Sequence, residues 1–303
     1  MAERIKRLEE LEKLVRNKPK KTIAIAYGHD DHSLEAAAQA KREGIADFII
    51  TGEKKVIEEQ MAKFKIEKGS FVIEDVPGGA VPAGKKAVSL VKEGKAHVLM
   101  KGLIDSGDFM RCILDKENGL LPPKAILSHA AVIDCPNYHK FFICTDVAVI
   151  PAPTLEEKCQ MLSYCVRIAN LLGIEKPKAA IITANEKVSL KMPATMEAAI
   201  MKTMGDRGQL GNVIVDGPLA VDVALDAEHC RIKKLKTEVG GDPDILVFPN
   251  IETGNAFYKA CTILGKGEIA GVVTGALAPV ILTSRADSEK SKHYSMLLAL
   301  LMA

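Results

Sequence analysis

Short apolar runs rich in β-branched residues alternate with longer amphipathic segments along most of the chain. Each pair predicts a strand followed by a helix. The runs are continuously apolar, which is typical of strands buried on both faces of a parallel sheet. The predicted fold class is therefore α/β, based on parallel sheets covered by helices. The pairs are KTIAIAY with SLEAAAQAKREG, ADFIITG with EKKVIEEQMAKF, AHVLMKG with GDFMRCILDKE, KAAIITA with MEAAIMKTMGD, and DILVFPN with TGNAFYKACTILG.

This alternation breaks between residues 125 and 150. Two strand-like runs, AILSHAAVID and KFFICTDVAVI, are separated only by CPNYH, which leaves no room for a crossover helix and predicts an antiparallel hairpin. The following segment, PTLEEKCQMLSYCVRIANLLGIE, opens with Pro and Thr and carries acids in its first turn, so it predicts a long helix. The hairpin marks the predicted junction between two domains.

Both ends of the chain predict helices. The first segment, MAERIKRLEELEKLVRNKPKK, has an amphipathic pattern and lacks the uninterrupted apolar run of a signal peptide. The last segment, DSEKSKHYSMLLALLMA, predicts a terminal helix. Because no run of 18 or more apolar residues occurs, we expect no membrane span and a cytoplasmic location.

Composition narrows the classes of partner. The 303 residues are 48% hydrophobic, enough for two ordinary domains. The 41 basic and 39 acidic residues give a net charge of +2, which leaves no surplus for a nucleic-acid footprint but permits a local site for a small anion. Seven dispersed cysteines without a C-x-x-C pair argue against a zinc site and a disulfide framework.

Candidate binding residues follow the predicted strands, because ligands of open α/β sheets bind at the carboxyl ends of strands. Lys101 and Gly102 come directly after AHVLM, and Gly107 stands in the turn into a short helix. Such a turn offers free backbone N–H groups to a phosphate, and Arg111, one turn in, would add a forked cationic contact. Lys101 is the candidate for a second cation. Alternatively, Arg111 is a surface arginine on an amphipathic helix.

Two later strands also deliver polar residues. Asp216 ends the strand NVIV, where it either contacts a ligand or caps the next helix. Asn250, Thr253, Gly254 and Asn255 follow DILVF at the start of a helix, which presents N–H donors. Thr253 or Asn255 is alternatively an ordinary N-cap.

A hydroxyl, a guanidinium and a carboxylate gather near the end of the chain as Ser284, Arg285 and Asp287. They form a candidate catalytic cluster, although Ser and Asp are also ordinary helix caps. Ser128 and His129 lie on the junction strand, where a lone His is more often structural. Motifs of α/β-hydrolases, zincins, P-loop proteins and dinucleotide-binding folds are missing from the sequence.

At these residues the chain resembles the phosphate acetyl/butyryltransferase family, closest to its butyryl branch. The resemblance covers nearly the whole chain and rests on MKGLIDSGDFMRCIL, KMPATMEAAIMKTMGDRGQLGNVIVDGPLAVDVAL, PNIETGNAFYKACT and APVILTSRADS. It implies a two-domain fold like that of the isocitrate and isopropylmalate dehydrogenases, with the active site in the cleft. The first domain would take residues 1–130 plus 276–303, and the second would take 131–275.

The resemblance also implies the reaction. Butyryl-CoA, or a similar short-chain acyl-CoA, would react with phosphate to give acyl phosphate and CoA by direct transfer in a ternary complex. No metal or prosthetic group is implied, because coenzyme A and phosphate are substrates. Members of the family usually form dimers or larger homo-oligomers.

Individual roles follow from the matching motifs. Arg111 matches the arginine that contacts phosphate or acyl phosphate. Ser284 would position or deprotonate the CoA thiol, and Arg285 would hold a substrate anion. Acetyl-type relatives carry an Asp seven residues after that Ser, whereas Ser291 stands here. By the same resemblance that Asp is the acidic partner of the Ser, and the nearest carboxylate that would take its place in this chain is Asp287.

Three alternatives stay open at this point. One is a phosphate acetyltransferase, because a methylene in an apolar pocket changes discrimination by only about 1–3 kcal/mol. A second is a non-catalytic regulator that binds CoA or phosphate and has lost the acid at position 291. The third is a decarboxylating hydroxyacid dehydrogenase, for which the sequence lacks a compact cluster of Asp residues to hold a divalent metal.

Overall fold

The computed structural model describes residues 4–282 and 288–303, which form two compact units. The chain crosses between the units at 8/9, 127/128 and 269/270, whereas the boundaries predicted from the sequence are 130/131 and 275/276. The terminal unit comprises residues 9–127 and 270–303, and the central unit comprises residues 4–8 and 128–269.

Strands and helices alternate along the described chain, which confirms the predicted α/β class. The strands are β1 (Lys21–Ala26), β2 (Ala46–Gly52), β3 (Val72–Asp75), β4 (Val98–Lys101), β5 (Ser128–Asp134), β6 (Phe142–Thr145), β7 (Lys178–Ile182), β8 (Ile214–Leu219), β9 (Ile245–Val247), β10 (Glu268–Thr274) and β11 (Val280–Ile281). The helices are α1 (Leu11–Arg16), α2 (Asp31–Arg42), α3 (Lys54–Lys63), α4 (Ala80–Lys92), α5 (Ser106–Ile113), α6 (Leu155–Leu171), α7 (Pro193–Asp206), α8 (Val221–Leu225), α9 (Ala227–Ile232), α10 (Ile251–Ile263) and α11 (Glu289–Met302).

The terminal unit has a sheet in the order β3-β2-β1-β4-β11-β10. β1 pairs in parallel with β2 and β4, β2 with β3, and β4 with β11, whereas β10 is antiparallel to β11. Ala26, the last residue of β1, lies opposite Lys101, the last residue of β4. The segments that follow these two strands therefore start side by side, at the edge where ligands of parallel sheets bind.

Helix α11 packs against this sheet through a buried serine. Ser295 Oγ donates to the carbonyl of Ser291 (2.7 Å) and accepts the backbone N–H of Gly271 in β10 (2.9 Å). Because Ser295 is 2% exposed, both hydrogen bonds are shielded from water. They fix the first turns of α11 relative to the strand.

The central unit has a sheet in the order β5-β6-β9-β7-β8. β5 and β6 are antiparallel, with Val132 opposite Ile143, which confirms the predicted hairpin; the other pairs are parallel. The predicted long helix is α6, which begins with a capping box between Thr154 and Glu157. It has 17 residues, and no helix in residues 4–282 or 288–303 is both long and apolar enough to cross a membrane.

The predicted N-terminal helix is wrong for residues 4–7. They form no helix or strand and bond to the central unit, where the carbonyl of Lys6 accepts the N–H of Phe141 (3.0 Å). Arg7 donates to Asp134 at 2.6 Å. These contacts take up groups that a helix would use internally, so helix geometry begins only at Leu8.

A buried carboxylate, Asp146, connects the start of β5 to the loop after β6. Its Oδ2 accepts from Ser128 Oγ (3.0 Å) and from the N–H of His129 (2.8 Å). Its Oδ1 accepts the N–H groups of Ala148 and Val149, both at 2.7 Å. The four donors supply hydrogen bonds that a buried charge requires.

The same loop receives the first turn of α10. A Cβ added to Gly254 would lie 2.2 Å from the carbonyl oxygen of Asp146, so the helix approaches the loop too closely for any other residue. Asn255 Nδ2 donates to the carbonyl of Val147 at 2.8 Å. The position of α10 is therefore set by the loop that Asp146 organises.

Replacing Ser295 by Ala should leave the buried N–H of Gly271 without an acceptor. We expect the free energy of unfolding of the terminal unit to fall by about 1–3 kcal/mol, measured by urea denaturation. Ser89→Ala is the control, because Ser89 makes its hydrogen bond to Glu93 in solvent. Equal stability of the two variants would contradict the role given to Ser295.

Replacing Gly254 by Ala should force α10 away from the loop at Asp146. Overpacking of this kind costs about 1–3 kcal/mol, so the urea midpoint of the central unit should fall. Lys259→Ala, an exposed change on the same helix, is the control and should leave the midpoint nearly unchanged. A Gly254→Ala protein as stable as wild type would show that the close approach is not a constraint.

Candidate functional site

A cavity of about 350 Å³ opens in the terminal unit where β1 and β4 end. Lys101 and Gly102, both predicted from the sequence, line it together with His29 and Lys292. The structure thus brings residues from the two neighbouring strand ends together with a residue of α11. The cavity is the main candidate site in this unit.

Lys101 and Gly102 contribute differently to the wall of this cavity. Lys101 Nζ donates to the carbonyls of Gly102 (3.2 Å) and Ile104 (3.0 Å). A Cβ on Gly102 would lie 2.5 Å from the carbonyl oxygen of Tyr27, so glycine allows the ends of β4 and β1 to approach. Gly102 shapes the cavity through its backbone, whereas Lys101 brings a charge.

His29 lies in the cavity wall and was missed by the sequence analysis. Its Nε2 accepts the N–H of Glu53 at 3.0 Å, so the neutral ring carries its proton on Nδ1. Burial lowers the pKa of His29, although the nearby carboxylates of Glu53 and Asp30 act in the opposite direction. The polar run GHDD directly after β1 was a usable signal, because it follows a strand as Lys101 does.

Arg111 lies on α5 with its side chain 75% exposed. It forms an ion pair with Asp108, and that hydrogen bond raises the pKa of the guanidinium. Arg111 is not among the residues that line the 350 Å³ cavity. A surface ion pair of this kind contributes little to stability, so Arg111 can exchange Asp108 for a substrate anion at little cost to folding.

The start of α5 differs from the prediction of free N–H groups for a phosphate. Asp105 is the N-cap, and its Oδ1 accepts the N–H groups of Gly107 (2.8 Å) and Asp108 (3.4 Å). These hydrogen bonds lower the pKa of Asp105, that from Gly107 most strongly. The carboxylate of Asp105 thus accepts the N–H groups that were expected to bind a phosphate.

Asp216 lies within β8, not at its end as predicted, because the strand continues to Leu219. It does not cap the next helix, whose N-cap is Ala220. Its Oδ1 accepts the N–H of Gly217 (2.9 Å) and lies 3.9 Å from Lys202 Nζ. Asp216 lines a separate cavity of about 510 Å³ in the central unit.

The candidates at the start of α10 are brought together in one helical turn. Asn250 is the N-cap, and its Oδ1 accepts from the N–H (2.9 Å) and the hydroxyl (2.6 Å) of Thr253. The alternative that Thr253 or Asn255 caps the helix is therefore wrong. Gly254 and Asn255 contact the loop at Asp146, a residue that sequence reasoning missed although it follows β6 directly.

The predicted catalytic residues Ser284, Arg285 and Asp287 lie outside the described residues. The next residue, Ser288, is the N-cap of α11, and its Oγ accepts the N–H of Ser291 at 3.0 Å. Ser291 is therefore the third residue of the helix and is buried.

All seven cysteines are free. In the central unit the thiol of Cys261 lowers the pKa of the Cys135 thiol, and the thiol of Cys135 raises the pKa of Cys261. Burial raises the pKa of Cys165 to about 12. In the part of the chain that the structure describes, no group of three His, Cys, Asp or Glu residues is placed to hold a metal ion.

Comparison with known proteins identifies the family. The family model described as phosphate acetyl/butaryl transferase matches residues 81–300. The chain is 42% identical to the phosphate butyryltransferase of Clostridium acetobutylicum and covers 99% of both proteins. It is 40% identical to the phosphate acetyltransferase of Thermotoga maritima, over 98% of this chain and 99% of that protein.

A solved structure agrees with these relatives. The branched-chain phosphotransacylase of Enterococcus faecalis matches with a TM-score of 0.82 and 30% identity, over 93% of this chain and 98% of that one. The resemblance predicted from the sequence blocks is confirmed by the family match and by both relatives. The chain belongs to the phosphate acetyl/butyryltransferase family and is a phosphate acyltransferase.

Proposed function

We propose that this enzyme transfers a butyryl or similar short acyl group between CoA and phosphate. The observation that supports the butyryl branch is the 42% identity to a phosphate butyryltransferase over 99% of the chain. The cavity at the ends of β1 and β4 is consistent with an anionic substrate, because it has Lys101 and Lys292 in its wall.

Direct transfer requires both substrates to be held at once. A phosphate oxygen attacks the thioester carbonyl carbon, and the tetrahedral oxyanion collapses with loss of the CoA thiolate, which takes up a proton. In the reverse direction the thiol loses that proton before it attacks the acyl phosphate. Fixed cationic and hydrogen-bonding groups stabilise the charge that develops at each stage.

The proposed roles are divided among the motifs. Arg111 and Lys101 contact phosphate or the phosphoryl group of the acyl phosphate. Ser284 positions or deprotonates the CoA thiol, with Asp287 as its acidic partner, and Arg285 holds a substrate anion. Substrate contacts of Gly102, Asp216, Asn250, Thr253, Gly254 and Asn255 stay predictions beside the structural contacts given above.

Acetyl-CoA is the second candidate for the acyl donor. The 40% identity to a phosphate acetyltransferase supports it, because one relative of each kind is about equally similar to this chain. One or two residues of an apolar pocket decide between such substrates. Four further expectations stay predictions. They are the absence of a prosthetic group, the cytoplasmic location, the homo-oligomer and the placement of the active site in an interdomain cleft.

The first test is phosphate-dependent release of CoA from acetyl-, butyryl- and isobutyryl-CoA, followed with a thiol reagent. We expect release that requires phosphate and is fastest with a four-carbon donor. The enzyme without acyl-CoA is the control, since its own cysteines react with the reagent. CoA binding without release from any donor would favour a non-catalytic regulator.

Arg111→Ala should raise the KM for phosphate about 10- to 100-fold, as expected for loss of a charged hydrogen bond to the substrate. Its folding stability should be unchanged, because the side chain is exposed and pairs only with neighbouring Asp108 among the described residues. Lys116→Ala, an exposed change beyond the end of the same helix, is the control. A wild-type KM in the Arg111 variant would remove this residue from the phosphate site.

A further inference from the structure

Two cysteines of the central unit lie beside each other although they are far apart in the chain. Cys135 directly follows β5, and Cys261 lies in the last turn of α10. A Cβ added to Gly267 would lie 2.9 Å from Cys135 Sγ and 3.1 Å from the carbonyl oxygen of Cys261. The same carbonyl accepts the N–H of Gly267 at 2.9 Å. Glycine at position 267 therefore lets the thiol of Cys135 approach the backbone of Cys261.

Each of the two thiols shifts the pKa of the other. The thiol of Cys261 lowers the pKa of Cys135, against the opposing effects of burial and of Asp134. The thiol of Cys135, together with burial, raises the pKa of Cys261. An interaction of this kind operates only between neighbouring side chains. The two side chains thus meet, which is the first geometric condition for a disulfide.

The remaining cysteines differ from this pair. All seven cysteines lie within the described residues 4–282, and among them Cys135 has the lowered pKa. A lower pKa gives more of the thiolate, which is the nucleophile in thiol chemistry. Cys135 and Cys261 are half-buried, which leaves both open to a small oxidant. Burial raises the pKa of the other five, namely Cys112, Cys144, Cys159, Cys165 and Cys230.

We propose that Cys135 and Cys261 are an oxidation site, at which a hydroperoxide converts the two thiols into a reversible disulfide. Cys135 is the attacking thiol and Cys261 is the resolving thiol. The disulfide joins the end of β5 to the last turn of α10. Of the described residues of α10, only Gly254 is buried, so the oxidised helix gains a second fixed point beside the loop at Asp146. The proposal does not depend on the proposed acyl transfer.

The oxidation takes place in two steps that balance. In the first, the Cys135 thiolate attacks one oxygen of hydrogen peroxide, the O–O bond breaks, and the leaving hydroxide takes up the proton of the thiol as water. In the second, the sulfur of Cys261 attacks the sulfenic acid on Cys135. The S–S bond forms, the S–O bond breaks, and the hydroxide leaves as water with the proton of Cys261. The two thiols lose two electrons, and one peroxide is reduced to two waters.

Treatment of the reduced protein with an equimolar amount of hydrogen peroxide tests the proposal. At a dilution that prevents reaction between chains, we expect wild type to lose two of its seven thiols, counted with a thiol reagent in denaturant. Mass spectrometry of an unreduced digest should show one pair of peptides joined through Cys135 and Cys261. Dithiothreitol should restore both thiols, because the disulfide is reversible.

Serine variants separate the two roles. Cys261→Ser should stop at the sulfenic acid on Cys135, which dimedone labels, and should lose one thiol in place of two. Cys135→Ser should keep its thiols under the same conditions, because the attacking thiolate is gone. Cys159→Ser is the matched control, since Cys159 is also half-buried but has a pKa raised by burial. It should form the same disulfide as wild type.

Three results would overturn the assignment. They are a wild type that keeps all seven thiols, a disulfide that joins another pair of cysteines, and dimedone labelling of the Cys261→Ser protein at Cys159 rather than at Cys135. The thiol count and the peptide map come from wild type alone, so they decide the question even where a serine variant fails to fold.

Discussion

The hydrogen bonds of Asp146 are the constraint on which the central unit depends. One buried carboxylate accepts four donors from two segments, so it fixes both the beginning of β5 and the loop that leaves β6. The loop in turn receives Gly254 and Asn255 of α10. Removing the carboxylate would leave several buried N–H and O–H groups without acceptors, each of which carries its own desolvation cost.

This arrangement changes how the polar residues at helix starts are understood. Asn250 was an expected ligand contact, and Asp105 lies in the turn where a phosphate was expected. Both are N-caps that accept N–H groups of their own helices. Lys101 and Lys292 differ, since both line the cavity at the ends of β1 and β4. A place in a cavity wall therefore separates candidate binding groups from helix caps better than a place after a strand does.

The sequence was sufficient for the strand–helix order, the hairpin of β5 and β6, the capped helix α6 and the terminal helix, because each depends on local periodicity and caps. Residues 4–7 were mispredicted as helical, since the pattern of the N-terminal segment is amphipathic but the backbone of these residues bonds to the central unit. Asp146 and His29 follow strands and were detectable by the rule that found Lys101. Lys292 shares a helical face with Met296 and Ala299, yet only the tertiary structure shows a cavity beside it.

The order of the two units along the chain affects when each of them can fold during translation. β4 has an unpaired edge until β11 is made, because β11 pairs with it through Val280 and Leu99. Lys101 is translated before residues 128–269 of the central unit and Lys292 after them, so the cavity that both residues line forms only late. The central unit can fold first on the ribosome, while a nascent chain that has not reached α11 lacks a complete cationic cavity.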